Sequence, residues 1–228
     1  MVYGNFNRPK GGKRMTIEQQ KATARSVYEK LKVIDPYCVL AGGAPRDWYF
    51  GNECNDLDFY YVSTATTVSA CRNQLQKVFK DVEIKTLSEI HGSSSSGVRE
   101  MSNLYQKMPS LIRVWQCKIA GMEVQFIQLA TLGSQFKVIE YMDVSICKIW
   151  ADVNMNIRLT TAFKKTLASK SMFLSEGYEW GDPHPQKMKQ RFEGKFGCAS
   201  SEDQVNWIIL RKALNAIGGE PIALKEEQ

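Results

Sequence analysis

Apolar positions along this chain follow two rhythms, one helical and one strand-like. In "IEQQKATARSVYEKLKVI" they recur at helical spacing. Thr16-x-x-Gln19 has the form of a capping box, in which a hydroxyl and an amide each satisfy an orphan backbone N–H. "YCVLA" is a short, unbroken apolar run ending at Gly42-Gly43, the pattern of a buried strand. In "APRDWYF", Pro45 suits the first turn of a helix and Gly51 lies just past its end. "DLDFYYV", rich in aromatic and β-branched residues, predicts a second strand, and "TVSACRNQLQKVFKD" a helix after it.

Farther on, "IRVWQCKI" and "EVQFIQL" flank Ala120-Gly121-Met122 and predict a hairpin. A helical piece at "SQFKVIEYM" leads to a second expected hairpin, "VSICKIW" with "MNIRLTT". The last third reads as mostly helical. Its final segment, "SEDQVNWIILRKALNAI", opens with Ser201-x-x-Gln204 as a capping pattern and stops at Gly218-Gly219. "HGSSSSG" is a loop by composition. With no internal repeat and no clear linker, the pattern predicts one α+β (or mixed α/β) domain over 15–167. A basic tail, 1–14, precedes it, and a helical C-terminal extension, 168–228, follows.

Composition narrows the class. Of 228 residues, 43% are hydrophobic and 24% charged, a balance that supports a folded core rather than a disordered chain. No run approaches the ~18 apolar residues of a membrane span, and no apolar leader is visible, so the expectation is a cytoplasmic protein with no membrane partner. Six scattered cysteines without a Cys-x-x-Cys pair, and only two histidines, argue against a zinc cluster or a disulfide framework and for buried, reduced thiols. The net charge of +6 is local: residues 1–34 hold eight Lys/Arg against two Glu, and the remainder is balanced. That end of the chain suits attraction to phosphates, or a solvated terminus.

The candidate chemistry lies in "VLAGGAPRDWYFGNECNDLDFYYV". Residues i and i+2 of a strand point the same way, so Asp56 and Asp58 project from one face while Leu57 and Phe59 pack behind it. Two carboxylates so close repel unless a cation or water sits between them. Oxygen-only ligands suit Mg²⁺, which completes its shell with water and substrate phosphates. A strand, Gly-Gly, then a helix start offers backbone N–H groups to an anion, with no Cβ at Gly42 or Gly43 to keep it away. Gly43 precedes Asp56 by thirteen residues, room for a short helix and a return.

Together, "GGAPRDWYFGNECNDLDF" resembles the signature of the DNA polymerase β nucleotidyltransferase superfamily. The branch it is most similar to holds the head domains of bacterial CCA-adding enzymes and poly(A) polymerases: Gly-Gly, Arg-Asp, a further Gly, then Asp-x-Asp. The resemblance implies a polymerase β-type fold, a mixed β-sheet flanked by helices. It also implies transfer of a nucleoside monophosphate from an NTP (ATP or CTP) to an acceptor hydroxyl, with pyrophosphate leaving. Two Mg²⁺ ions, or Mn²⁺, would be held by Asp56 and Asp58, and Gly42 and Gly43 would contact the triphosphate. Arg46 and Asp47 would fix the loop, with Arg46 near the nucleotide; an internal ion pair between them is the other open reading.

The superfamily commonly adds a third carboxylate from a later strand. Glu123 of "GMEVQFIQL" fills that place by likeness, with Asp143 of "EYMDVSIC" in reserve. Gln125 stands where many relatives carry an acid. More loosely, "FKVIEYMDVSICKIW" and "KMKQRFEGKFG" look like segments of small nucleotidyltransferase-like proteins of phages and large viruses, which would place the chain in a bacterial or infected-host cytoplasm. Lys187, Lys189, Arg191 and Lys195 would then face RNA or the triphosphate, or simply form a solvated helix face.

Other signatures are absent: neither GxxxxGK[ST] nor the Rossmann glycine spacing occurs, and neither His91 nor His184 has an evident nucleophile partner. Trp48, Tyr49, Tyr60 and Tyr61 serve either base stacking or core packing. The expected acceptor is an RNA 3′ end, with tRNA among the candidates. The alternatives are a protein or small-molecule acceptor, or a non-catalytic RNA- or nucleotide-binding module on the same fold.

Overall fold

The computed structural model describes residues 15–65, 67–89, 110–130 and 134–216. The basic tail, the "HGSSSSG" segment and Gly218-Gly219 lie outside them. In chain order the elements are α1 (Ile17–Leu31), β1 (Val39–Ala41), α2 (Gly43–Tyr49), β2 (Asp56–Val62), α3 (Val68–Val78), β3 (Lys85–Glu89), β4 (Leu111–Ile119) and β5 (Met122–Leu129). They continue with α4 (Ser134–Tyr141), a 3₁₀ turn (Ser145–Cys147), β6 (Ile149–Ala151), β7 (Ile157–Leu159), α5 (Thr161–Ser169), β8 (Ser171–Met172), α6 (Pro183–Arg191), β9 (Gly197–Cys198) and α7 (Ser201–Ala216).

Seven strands form one sheet in the order β3-β4-β5-β2-β1-β6-β7. Its ladders are antiparallel except for β2 with β5, and β8 and β9 form a small separate parallel pair. This is a mixed, mainly antiparallel sheet with helices, an α+β fold. Alternation along β2 divides the core. Leu57, Phe59 and Tyr61 pack with Ala24, Val27 and Leu31 of α1 and Leu75 of α3. Tyr60 and Val62 point the other way, into a cluster with Val138 and Ile139 of α4, Phe163 of α5, and Met188 and Phe192. Each large apolar side chain so buried contributes about 1.5–3 kcal/mol.

The expected start signals mostly hold. Thr16 and Gln19 form the reciprocal capping box of α1. At α7 the cap is one residue earlier than the sequence pattern suggests. Ser200 Oγ accepts from the Asp203 amide (3.1 Å) and donates to Asp203 Oδ2 (2.7 Å). Gln204 is drawn off to exchange two 2.8 Å hydrogen bonds with the Leu174 main chain. The second hairpin is shorter than expected: Ser145–Cys147 turns in a 3₁₀ helix, and only Ile149–Ala151 pairs with Ile157–Leu159. All six cysteines are free, five of them buried.

β2 is pinned at both ends by buried polar residues. Asp35, just past α1, accepts from the amides of Val62 (2.8 Å) and Tyr37 (2.9 Å) and from Gln135 Nε2 of α4 (2.6 Å). At the other end, Gln20 Oε1 accepts from Trp48 Nε1 and the Cys54 amide, both at 2.9 Å, and its Nε2 donates to the Cys54 carbonyl (3.1 Å). A buried amide satisfied in this way is costly to displace. The two pins fix the height at which Asp56 and Asp58 leave the sheet.

Candidate active site

The parallel register sets Asp56 opposite Glu123 and Asp58 opposite Gln125, so these four side chains share one face. Lys118 of β4 is opposite Glu123 in turn. Asp56 and Asp58 are half-buried and Glu123 is exposed. Asp58 Oδ1 is inaccessible to solvent and has no hydrogen-bond partner among the described residues. Burial, and then the charge of Glu123, push the Asp56 carboxyl up, while Lys187 and Arg46 oppose the shift. Burial and the charge of Asp56 push Asp58 well above the usual carboxylate range, again against Arg46. Two crowded acids with an orphaned oxygen are the condition that a bound cation would relieve.

Among the described residues, no three His, Cys, Asp or Glu side chains gather into a ready-made metal-binding group. Asp56 and Asp58 fit a hard divalent ion of the kind that takes only one or two protein carboxylates and fills its shell from water and phosphate. Glu123 stands beside them on the next strand.

The Gly-Gly corner lies at the end of β1. Gly42 has φ +82° and ψ −118°, a backbone state that L side chains avoid, and a Cβ there would come 3.4 Å from Met142 Cε. Its N–H is spent on the Ile149 carbonyl (2.9 Å). The Gly43 and Ala44 amides belong to the first turn of α2, where a helix supplies no acceptor, and Pro45 has no N–H to leave idle. Space beside Gly43 is open, its nearest would-be neighbour being Arg46 Nη2 at 4.0 Å.

Arg46 and Asp47 are both buried beneath this corner. Arg46 Nε and Nη2 each donate to Asp47 Oδ1 at 2.9 Å, and Nη1 reaches Cys147 Sγ and Met188 Sδ at 3.2 Å. Arg191 takes the other carboxylate oxygen, Oδ2, at 2.9 Å. Asp47 thus ties α2 to α6 through Arg191, and both guanidinium groups lie over the Phe192 ring. Of the two readings open for Arg46-Asp47, the internal ion pair is what the geometry displays.

The four basic residues proposed near α6 separate by face. Lys187 is exposed and its charge acts on Asp56, whereas Arg191 is engaged with Asp47. Lys189 lines a groove of about 180 Å³ with Trp180, Gln186, Gln190 and Glu193, and Lys195 is exposed beyond the helix. Asp143 is buried and committed: Oδ1 accepts from the Val144 amide (2.8 Å) and Oδ2 from His184 Nδ1 (2.7 Å). Trp48 and Tyr61 are core residues and Tyr60 is buried, while Tyr49 is 40% exposed.

Sequence reasoning missed Gln20, whose only signal was a glutamine at an inward helix position. It named Lys187 and Arg191 but missed that His184 and Met188 share their helix face and contact Asp143 and Arg46. Their i, i+3, i+4, i+7 spacing was legible, but what they faced was not.

No protein-family model matches the sequence, and no curated protein matches it. Among solved structures the fold is similar to a CCA-adding enzyme determined with CTP, at TM-score 0.52 and 12% identity over 89% of this chain and 48% of that one. It is similar also to a tRNA-processing enzyme in an apo form, at TM-score 0.51 and 18% identity over 95% and 51%. The CCA-adding enzyme determined with ATP matches at TM-score 0.50 and 11% identity over 86% and 43%. This chain spans about half the length of those proteins, and at these identities the likeness is one of fold.

Proposed function

We propose that the chain is a nucleotidyltransferase that passes a nucleoside monophosphate from an NTP to an acceptor hydroxyl, most readily an RNA 3′ end, and releases pyrophosphate. The observation that carries this reading is the Asp56–Asp58 pair, with its orphaned Oδ1, on the strand next to the Gly42–Gly43 corner. The fold likeness to a CCA-adding enzyme solved with CTP and with ATP supports it.

In this reading Asp56 and Asp58, joined by Glu123, hold one or two Mg²⁺ or Mn²⁺ ions. Such ions supply neutralisation of phosphate charge and activation of the attacking hydroxyl. The protein's own part is placement. The Gly42 conformation turns the first-turn amides of α2 toward the polyphosphate, and the absent Cβ of Gly43 leaves room for it. Gln20 and Asp35 hold β2 in register. The Arg46–Asp47–Arg191 cluster keeps α2 and α6 at a fixed separation while remaining below the nucleotide. Catalysis of this kind rests on positioning and preorganised charge rather than on covalent steps.

A second reading has one observation in its favour: Gln125, an amide, stands opposite Asp58 where a third acid would strengthen the site. It makes the chain a nucleotide- or RNA-binding module without transfer. Incubation of the protein with labelled NTPs, Mg²⁺ and total RNA separates the two. Label on RNA is the expected result. Label on protein or small molecules would move the acceptor, and nucleotide binding without transfer would establish the second reading.

A further inference from the structure

Helix α6 packs against α2 with His184, Lys187, Met188 and Arg191 on one face. Arg191 is bound to Asp47, Met188 to Arg46, and Lys187 is close enough to act on the charge of Asp56. One turn toward the N-terminus, His184 rests on Asp143. Asp143 follows Met142, the residue whose methyl lies against Gly42. The helix therefore borders the Gly42–Gly43 corner through Met188 and Arg46, whose Nη2 is the nearest neighbour a Cβ at Gly43 would meet, and His184 and Lys187 share that helix face.

His184 differs from an ordinary surface histidine in its support. Asp143 is 1% exposed, and its second oxygen is occupied by the Val144 amide. An ionised carboxylate only accepts, so the proton of the 2.7 Å contact is on His184 Nδ1. That fixes the ring and turns Nε2 away from Asp143. The side chain keeps 27% of its surface open, so Nε2 has a route to a ligand. A buried carboxylate behind an imidazole is the usual arrangement for holding the ring in one orientation.

We infer that His184, positioned by Asp143, and Lys187 form the lip that grips the β- and γ-phosphates of a nucleoside triphosphate, and so the departing pyrophosphate, against the Gly42–Gly43 corner. The inference deepens the reading of this site as a nucleotidyltransferase and rests on it for the identity of the ligand. His184 and Lys187 are the contacting groups, and Asp143 is a positioning residue. Removing one charge-assisted donor to phosphate lowers affinity about tenfold.

The test is binding of inorganic pyrophosphate, ATP and AMP to the full chain with Mg²⁺, measured by titration calorimetry alongside thermal unfolding. His184→Ala and Lys187→Ala are expected to weaken pyrophosphate and ATP about tenfold while leaving AMP unchanged; the thermal midpoint should hold in Lys187→Ala and fall in His184→Ala, which strands the buried Asp143 Oδ2. Asp143→Asn keeps the side chain's shape and an oxygen for the Val144 amide. It is expected to weaken pyrophosphate in the same direction, and intact binding there would remove Asp143 from the positioning role. Unchanged pyrophosphate affinity in His184→Ala, or equal losses for ATP and AMP, would overturn the inference. If the wild-type chain transfers no label to any acceptor yet its pyrophosphate affinity still depends on His184, the transfer reading falls and the lip remains. If transfer proceeds and His184→Ala binds pyrophosphate normally, the lip alone falls.

Discussion

Asp58→Asn removes one charge from the site while keeping nearly the same shape, and it separates a functional carboxylate from a structural one. Two residues of strand at ~3.3 Å each put the Asp56 and Asp58 carboxylates about 6.6 Å apart. At an effective dielectric of ~20, two unit charges at that distance repel by about 2.5 kcal/mol. Asp58 has no hydrogen bond at Oδ1 to lose, and burial already raises its carboxyl well above the ordinary range. Set against the relief is the burial of an amide in place of the charge, which leaves one polar group unsatisfied at about 1–3 kcal/mol. The expected net is a gain of up to about 1–2 kcal/mol without metal, or ~2–8 °C in thermal midpoint for a chain of this size.

The same substitution should lower transfer at least ~10³-fold, the several kcal/mol of charge stabilisation that such a site supplies. It should also abolish the stabilisation of the wild type by Mg²⁺. Thermal unfolding with and without Mg²⁺, paired with the labelled-NTP assay, reads all three. A lower midpoint together with retained transfer would refute both the electrostatic argument and the assignment of Asp58.

Other outcomes follow from the same geometry. Because the folded-state values of Asp56 and Asp58 are raised, the folded chain holds protons that the unfolded chain loses above about pH 4. Their contribution is thus fully present below that pH and is lost as pH rises through the raised values. The advantage of Asp58→Asn over wild type should therefore grow from acid toward neutral pH in midpoints measured without metal. Gln20→Leu strands the Trp48 and Cys54 donors and should cost about 2–5 kcal/mol in urea unfolding. The two glycines should behave oppositely. Gly42→Ala meets a forbidden backbone state and should lose about 1–3 kcal/mol. Gly43→Ala has open space in the free protein and should keep or gain stability, yet weaken ATP binding measured by calorimetry, because its methyl enters the phosphate path.

Much of the scaffold was legible from local rules. The Thr16 capping box, the limits of "DLDFYYV" and the shared face of Asp56 and Asp58 need only backbone periodicity and nearby partners, and short-range physics decides both. The Ser200 cap departed from expectation because Gln204 found better partners in Leu174, thirty residues away in sequence. Which of the basic side chains of α6 faces the carboxylates is likewise a matter of docking: Lys187 acts on Asp56 and Arg191 is consumed by Asp47, although the sequence leaves both between a phosphate-facing role and a solvated helix face.

The sequence by itself determined the pair of acids, the glycine corner before them and the strand that aligns them, because each follows from a two- or three-residue repeat along one segment. Only the tertiary structure decided that Arg46 and Asp47 sit buried under the corner, that Asp143 is taken by His184, and that Gln20 holds the approach to Asp56. Asp143 and His184 lie 41 residues apart, and Arg46 reaches Met188 across 142. A buried charge takes whichever opposite charge or donor the packing of helices brings within reach, and no local pattern carries that information.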